Sequence, residues 1–170
     1  SRSGKVGMVG GMDIPLVRKF ACGYEQGAKH ADPKVEVKLN MIGSTPSAWT
    51  DPARGAELTK AQVAQGVDVV FSAAGTSGLG IMQAARDAGI LAIGVDSNQN
   101  GLHPGFMLTS MLKRVDVAAY TAFMDARNDR FTAGARVLGL AEGGVDWALD
   151  EFNKPLISAA MLAAVDRAKA

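Results

Sequence analysis

Val67-Asp-Val-Val-Phe-Ser-Ala-Ala-Gly-Thr-Ser-Gly-Leu-Gly80 decides the fold of this chain. An apolar, β-branched run passes into small hydroxyl and glycine residues and then into the helical stripe Ile81, Ala84, Ala85 and Ala88. A strand that is apolar on both faces and turns straight into a helix belongs to a parallel sheet covered by helices. In such a sheet the strand-to-helix turns gather at the carboxyl edge, where ligands bind. Phe71 and Gly75 are therefore expected near a small molecule. A second strand end, Ile93-Gly-Val-Asp96, brings a carboxylate to the same edge.

The rest of the chain repeats the pattern. Lys5–Val9, Val35–Ile42, Val67–Ser72 and Ile90–Val95 read as strands, and Ala135–Leu140 is expected to be a fifth. Between them Ile14, Val17, Ala21, Tyr24 and Ala28 recur at helical spacing. Asp51-Pro52 is an N-cap followed by proline at the first helical position, and that helix ends near Gly66. The loop from Asp96 to Gly105 is expected to lead through Phe106–Thr109 to a helix bearing Val115, Ala118, Ala119, Ala122 and Ala126. A last stripe holds Ile157, Ala160, Met161, Ala164, Val165 and Ala168. The prediction is a doubly wound parallel α/β sheet in flavodoxin-like order, forming a single lobe. The last stripe has no stop signal, so the chain is expected to be part of a longer protein.

Composition narrows the partners. Eighteen basic against 17 acidic residues leave a net charge of +1, which gives no electrostatic case for nucleic acid or an anionic membrane. No apolar run approaches the roughly 20 residues of a membrane span. The opening Ser-Arg-Ser-Gly-Lys lacks the pattern of a secretory leader. The single cysteine, Cys22, lies in an apolar helical pattern and is expected to be a buried small hydrophobe. His30 and His103 have no Cys or carboxylate companions at ligand spacing, so neither metal nor cofactor is expected. Gly75, Gly78 and Gly80 are not in the dinucleotide order and precede no P-loop Lys-Ser pair. Close packing or ligand clearance accounts for them better than a phosphate cradle.

Five pieces in order carry a resemblance: Lys5-Val-Gly-Met-Val-Gly-Gly-Met-Asp-Ile-Pro15, Asp51-Pro-Ala-Arg-Gly55, Val67–Gly75, Ile93-Gly-Val-Asp-Ser-Asn-Gln99 and Leu108-Thr-Ser-Met-Leu-Lys-Arg-Val-Asp-Val117. Together they closely resemble the basic membrane protein family, the purine-nucleoside receptor type of ABC-transporter substrate-binding proteins. The resemblance implies a type I periplasmic binding protein: two α/β lobes that close by a hinge on a nucleoside, without catalysis, and dock on a membrane permease. It covers only the second lobe. An N-terminal partner lobe is expected elsewhere in the parent, with 106–126 and 155–170 as hinge-crossing segments. The parent would be periplasmic or a cell-surface lipoprotein. An isolated lobe would bind weakly and would form a homodimer or segment-exchanged dimer through its uncovered surface.

By motif, the resemblance assigns the base to Phe71 and Gly75 and the ribose to Asp96 and Lys113, with Gly11, Met12 and the Trp49–Asp51 turn flanking the ligand. Each assignment has a plainer counterpart. Phe71 in an apolar strand reads as core on its own, and only the resemblance favours stacking on a purine face. A carboxylate ending an apolar strand needs partners, which suits Asp96 to sugar hydroxyls. Lys113 is equally a solvated lysine, and Trp49 is first a packing anchor. Two other classes fit the same fold: a small enzyme using Asp96 as acid or base, for which no second catalytic group is evident, and the effector lobe of a transcriptional regulator, for which no basic helix-turn-helix is present.

Overall fold

The computed structural model describes residues 1–169. Five parallel strands, β1 Lys5–Met12, β2 Glu36–Gly43, β3 Val69–Ala73, β4 Leu91–Gly94 and β5 Met107–Lys113, are joined by a short antiparallel β6, Val145–Trp147. Their order is β2-β1-β3-β4-β5-β6. The first five follow the flavodoxin-like order, with the direction of winding reversing at β1 and β3. β3 is buried at every position, as its unbroken apolar run requires.

Helices α1 Pro15–Ala31, α2 Pro52–Ala64 and α3 Gly78–Asp87 cover the sheet. α2 and α3 lie on one face, where Ile81, Met82 and Ala85 pack on Val9, Val70 and Ala92. α1 lies on the other, where Val17 and Ala21 meet Met8, Phe71 and Val95. Asp51 caps α2, its carboxylate accepting from Arg54 N–H at 2.9 Å, and Pro52 opens the helix. Gly66 and Gly89, both at positive φ, end α2 and α3. Gly80 has no room for a Cβ against the Pro52 carbonyl, so it marks the close crossing of α3 on α2.

Three expectations need correction. The passage through Phe106–Thr109 to the helix at Val115 contains an unexpected strand: β5 occupies 107–113, where Met107 and Ser110 are buried. Ala135–Leu140 is irregular rather than a strand, and its Val137 is exposed, so nothing apolar rewards pairing there. Cys22 is exposed, with Gln26 donating to its sulfur at 3.1 Å. Two further helices follow β5: α4 Val115–Arg127 and α5 Ala159–Lys169 form where the stripes predict them, yet neither buries a residue. On the α1 face, among the described residues, no helix after α1 contributes to the core over β4 and β5. An apolar groove of about 300 Å³ remains there, walled by Phe20, Tyr24, Phe71, Ile93 and Met111.

Candidate solute-binding edge

The carboxyl ends of β1, β3, β4 and β5 bring together most of the residues singled out from the sequence. Gly11 and Met12 end β1, and Gly75 follows β3. Trp49 closes a short 3-10 turn, Pro46–Trp49, between β2 and α2. That turn is pinned from below by Ser77, fully buried, whose hydroxyl donates to Ala48 O at 2.8 Å and accepts from Asp51 N–H at 2.7 Å. The indole is thereby held at the β1/β3 reversal. Gly11 has no room for a Cβ against the ring, and a Cβ on Gly75 would stand 3.4 Å from Trp49 Cε3. Gly75 has φ +57°, a conformation glycine adopts without strain.

Two strands along the edge, roughly 10 Å away at the usual strand spacing, stand Asp96 and Lys113. Lys113 Nζ lies 2.8 Å from Asp96 Oδ1, and Lys113 N–H donates to Asp96 O at 2.9 Å. Both side chains are about half exposed, 53% for the lysine and 47% for the aspartate, so water and solutes reach the pair. In that setting the pair itself contributes at most about 1 kcal/mol. The backbone of Asp96 is unusual: φ is +68°, and Ser97 N–H donates to Val95 O at 2.8 Å. This is the rare positive-φ γ-turn, a geometry that costs a non-glycine residue about 1–3 kcal/mol and clusters at binding sites.

Phe71 is not brought to this edge. It is 5% exposed, packed among Met8, Val17, Ala21 and Val95, and its ring meets Tyr24 at 5.3 Å between centroids with a 40° tilt. Burial there pushes the Tyr24 hydroxyl well above its ordinary pKa, with Asp68 adding in the same direction. Sequence reasoning named the aromatic strand residue first; the aromatic surface at the edge belongs to Trp49. It also missed the polar residues behind Asp96, namely Gln99, Asn100, Ser110, Asp150 and Asn153. The density of Asn, Gln and Ser in 97–100 was the available signal. Among the described residues no group of three or more His, Cys, Asp or Glu comes together at metal-binding distance.

The edge thus carries a half-exposed carboxylate–ammonium pair and an aromatic ring at the reversal of the sheet. The chain superposes on solute-binding proteins of an ABC transporter system from Aeropyrum pernix with a TM-score of 0.75 and 32% identity, over 97% of this chain and 45% of that one. The chain belongs to the family described as ABC transporter substrate-binding protein, PnrA-like, whose model matches residues 1–167. Among curated relatives, basic membrane protein D of Borreliella burgdorferi is 34% identical over 158 residues, 91% of this chain and 45% of that protein. A lipoprotein of Pyrococcus furiosus is 36% identical over 152 residues, 85% of this chain and 38% of that protein. The chain thus spans less than half the length of these relatives.

Proposed function

We propose that this chain is one wall of a nucleoside-binding cleft in a two-lobed ABC-transporter receptor. The observation that carries the proposal is the Asp96–Lys113 pair, exposed at the sheet edge two strands from the Trp49 ring. The separation matches a base joined to a sugar. The carboxylate accepts from vicinal ribose hydroxyls, and the ammonium, already neutralising it, donates to the same hydroxyls. A purine lies against the Trp49 indole, where stacking adds about 0.5–1.5 kcal/mol beyond area burial. Gly11 and Gly75 let the Trp49 ring lie close against the ends of β1 and β3, and with Met12 they flank the base. Phe71 forms the floor beneath, supporting the edge through the core instead of touching the ligand. The family's binding of transported solutes, not turnover, is the chemistry this geometry supports.

The chain's coverage of its relatives supports a second lobe that supplies the opposite wall, with α4 and α5 as the segments that leave this lobe. Tyr120 and Phe123 of α4, 67% and 76% exposed, have the character of residues that pack on a partner surface. In the parent, closure of the two lobes buries the nucleoside and a membrane permease receives it, at the periplasmic or outer cell surface. One wall cannot exclude water, so binding by this chain alone is weak, and its uncovered apolar surface favours a homodimer or an exchange of segments between copies.

Isothermal titration with adenosine, guanosine and inosine tests the reading, alongside light scattering for mass. A saturable heat with at least one nucleoside is expected, lost in Asp96→Ala and weakened in Trp49→Ala. Binding that survives Asp96→Ala unchanged would place the ligand elsewhere on the lobe.

A further inference from the structure

Behind Asp96 lies a chain of hydrogen bonds that leads away from the edge and ends at the other side of β5. Val95 N–H donates to Gln99 Oε1 at 2.9 Å, and Gln99 N–H donates to Ser110 Oγ at 3.0 Å. The Ser110 hydroxyl donates to Asn100 Oδ1 at 2.8 Å. The Asn100 amide donates to Asp150 Oδ2 at 3.0 Å, which also accepts from the Asn98 amide at 2.7 Å. Asp150 lies beyond β6, in the segment that Asn153 ties back to the sheet: the Asn153 amide donates to Leu108 O and Ala148 O, both at 2.9 Å, and its oxygen accepts from Asp150 N–H at 2.8 Å. Asn100, Ser110 and Asn153 are fully buried. Gly94 makes room for the network, since a Cβ there would stand 2.7 Å from Gln99 Oε1 and 2.8 Å from Ser110 Oγ.

Buried amides and hydroxyls that all find partners define one geometry, because any departure strands a polar group away from water. Here the geometry so defined includes the strained turn at Asp96, whose preceding amide is held by Gln99 and whose carbonyl is held by Lys113 N–H. We infer that Gln99, Ser110, Asn100 and Asp150 form a positioning relay that holds the Asp96 turn in its ligand-ready form, so that docking of the segment 148–156 governs the binding edge. The relay makes Asp150 a positioning residue for the site although it stands on the far side of β5. The consequence for nucleosides rests on the proposed function of Asp96; the consequence for the turn does not.

The test is amide hydrogen exchange by NMR on this chain, comparing Asp150→Ala, Asp150→Asn and Ser110→Ala with the unaltered protein, and Glu151→Ala as the exposed neighbouring control. Asp150 is reachable from solvent, so its variants keep the fold even where Ser110→Ala does not. Exchange at Ser97 and Lys113 is expected to quicken by at least about tenfold in Asp150→Ala, with Val9 and Val70 unchanged, and Asp150→Asn to restore most of the protection, because its amide oxygen still accepts. Glu151→Ala should match the unaltered protein. Unchanged exchange at Ser97 and Lys113, or a uniform rise across β1 and β3, overturns the relay. Nucleoside titration of the same proteins separates the two proposals. Quickened turn exchange in a protein that binds no nucleoside in its unaltered form upholds the relay and removes the ligand reading. Binding weakened about tenfold in Asp150→Ala upholds both.

Discussion

Helices α3 and α4 are built from similar material and have opposite fates. α3, Gly78–Asp87, places Ile81, Met82, Ala84 and Ala85 at 3% exposure or less against the sheet. α4, Val115–Arg127, carries Val115, Tyr120 and Phe123 and buries none of them. The apolar stripe is present in both. What differs is the connection: α3 is strung between the adjacent parallel strands β3 and β4, and a short crossover has no course except back over the sheet. α4 follows the last parallel strand, and the long irregular stretch 128–144 separates it from β6, which pairs antiparallel with β5, so its connection does not hold it over the sheet as the short parallel crossover holds α3. A stripe states that a helix has an apolar face; the connections on either side decide where that face goes.

The strongest way to break the comparison is to truncate both helices. Ile81→Ala is expected to cost about 2–5 kcal/mol in urea unfolding, the usual range for a fully buried large-to-small change. Phe123→Ala, measured where light scattering reports a monomer, should fall within about 0.5 kcal/mol of the unaltered chain, as exposed positions do. A large loss at Phe123 would show that α4 packs on this lobe after all, or on a second copy. Next in size is Gly80→Ala. The added methyl meets the Pro52 carbonyl of α2, a backbone atom that cannot turn aside, and a loss of about 1–3 kcal/mol follows.

The same contrast explains what could be read from the chain beforehand. The strands around Val67–Gly80, the Asp51-Pro52 cap and the helix ends at Gly66 and Gly89 were legible because local chemistry fixes them. β5 was not. Its sequence, Met107–Lys113, has no alternation and sits after a long polar loop, and only its position between β4 and β6 identifies it. At the edge, Asp96, Lys113, Gly11, Gly75 and Trp49 were singled out before their arrangement was known, largely through a family resemblance. For Phe71 the strand alone indicates core and only the family resemblance indicates a ligand contact; α1 places Tyr24 and Val17 against its ring. The relay behind Asp96 joins residues up to 52 positions apart, as in the Asn98–Asp150 contact, and no local pattern encodes that.

A smaller effect sharpens the distinction between the packed body and the binding edge. Asp96→Gly removes the strain of a positive φ and with it a half-exposed ion pair. The first gain is about 1 kcal/mol and the second loss is less, so the variant should be slightly more stable than the unaltered chain. It should also bind no nucleoside. Asp96→Asn keeps the turn, since asparagine tolerates this region, and should leave stability nearly unchanged while weakening binding. A destabilised Asp96→Gly would mean that the pair, not the turn, is what the edge depends on.

The smallest expected effect separates the body from its last helix by pH. Asp146 in β6 accepts from Lys169 Nζ of α5 at 2.8 Å, and that bond, with the Trp147 N–H, holds its carboxyl below the usual aspartate range. Asp150 is lowered in the same direction, first by the Asn98 amide and then by the N–H of Phe152 and the Asn100 amide. A carboxyl whose pKa is lower folded than unfolded stabilises the fold above its unfolded value, near 3.9, and that contribution is lost as pH falls through the folded value. Stability should therefore be flat with respect to these two groups from neutral pH to about pH 5 and decline below about pH 4. Asp146→Asn should flatten only part of the decline and leave the Ser97 and Lys113 amides protected, because its partner is α5. Asp150→Asn should flatten another part. If the Asp146 variant instead exposes the turn at Asp96, then α5 is coupled to the binding edge and the division between packed body and free helix fails at that point.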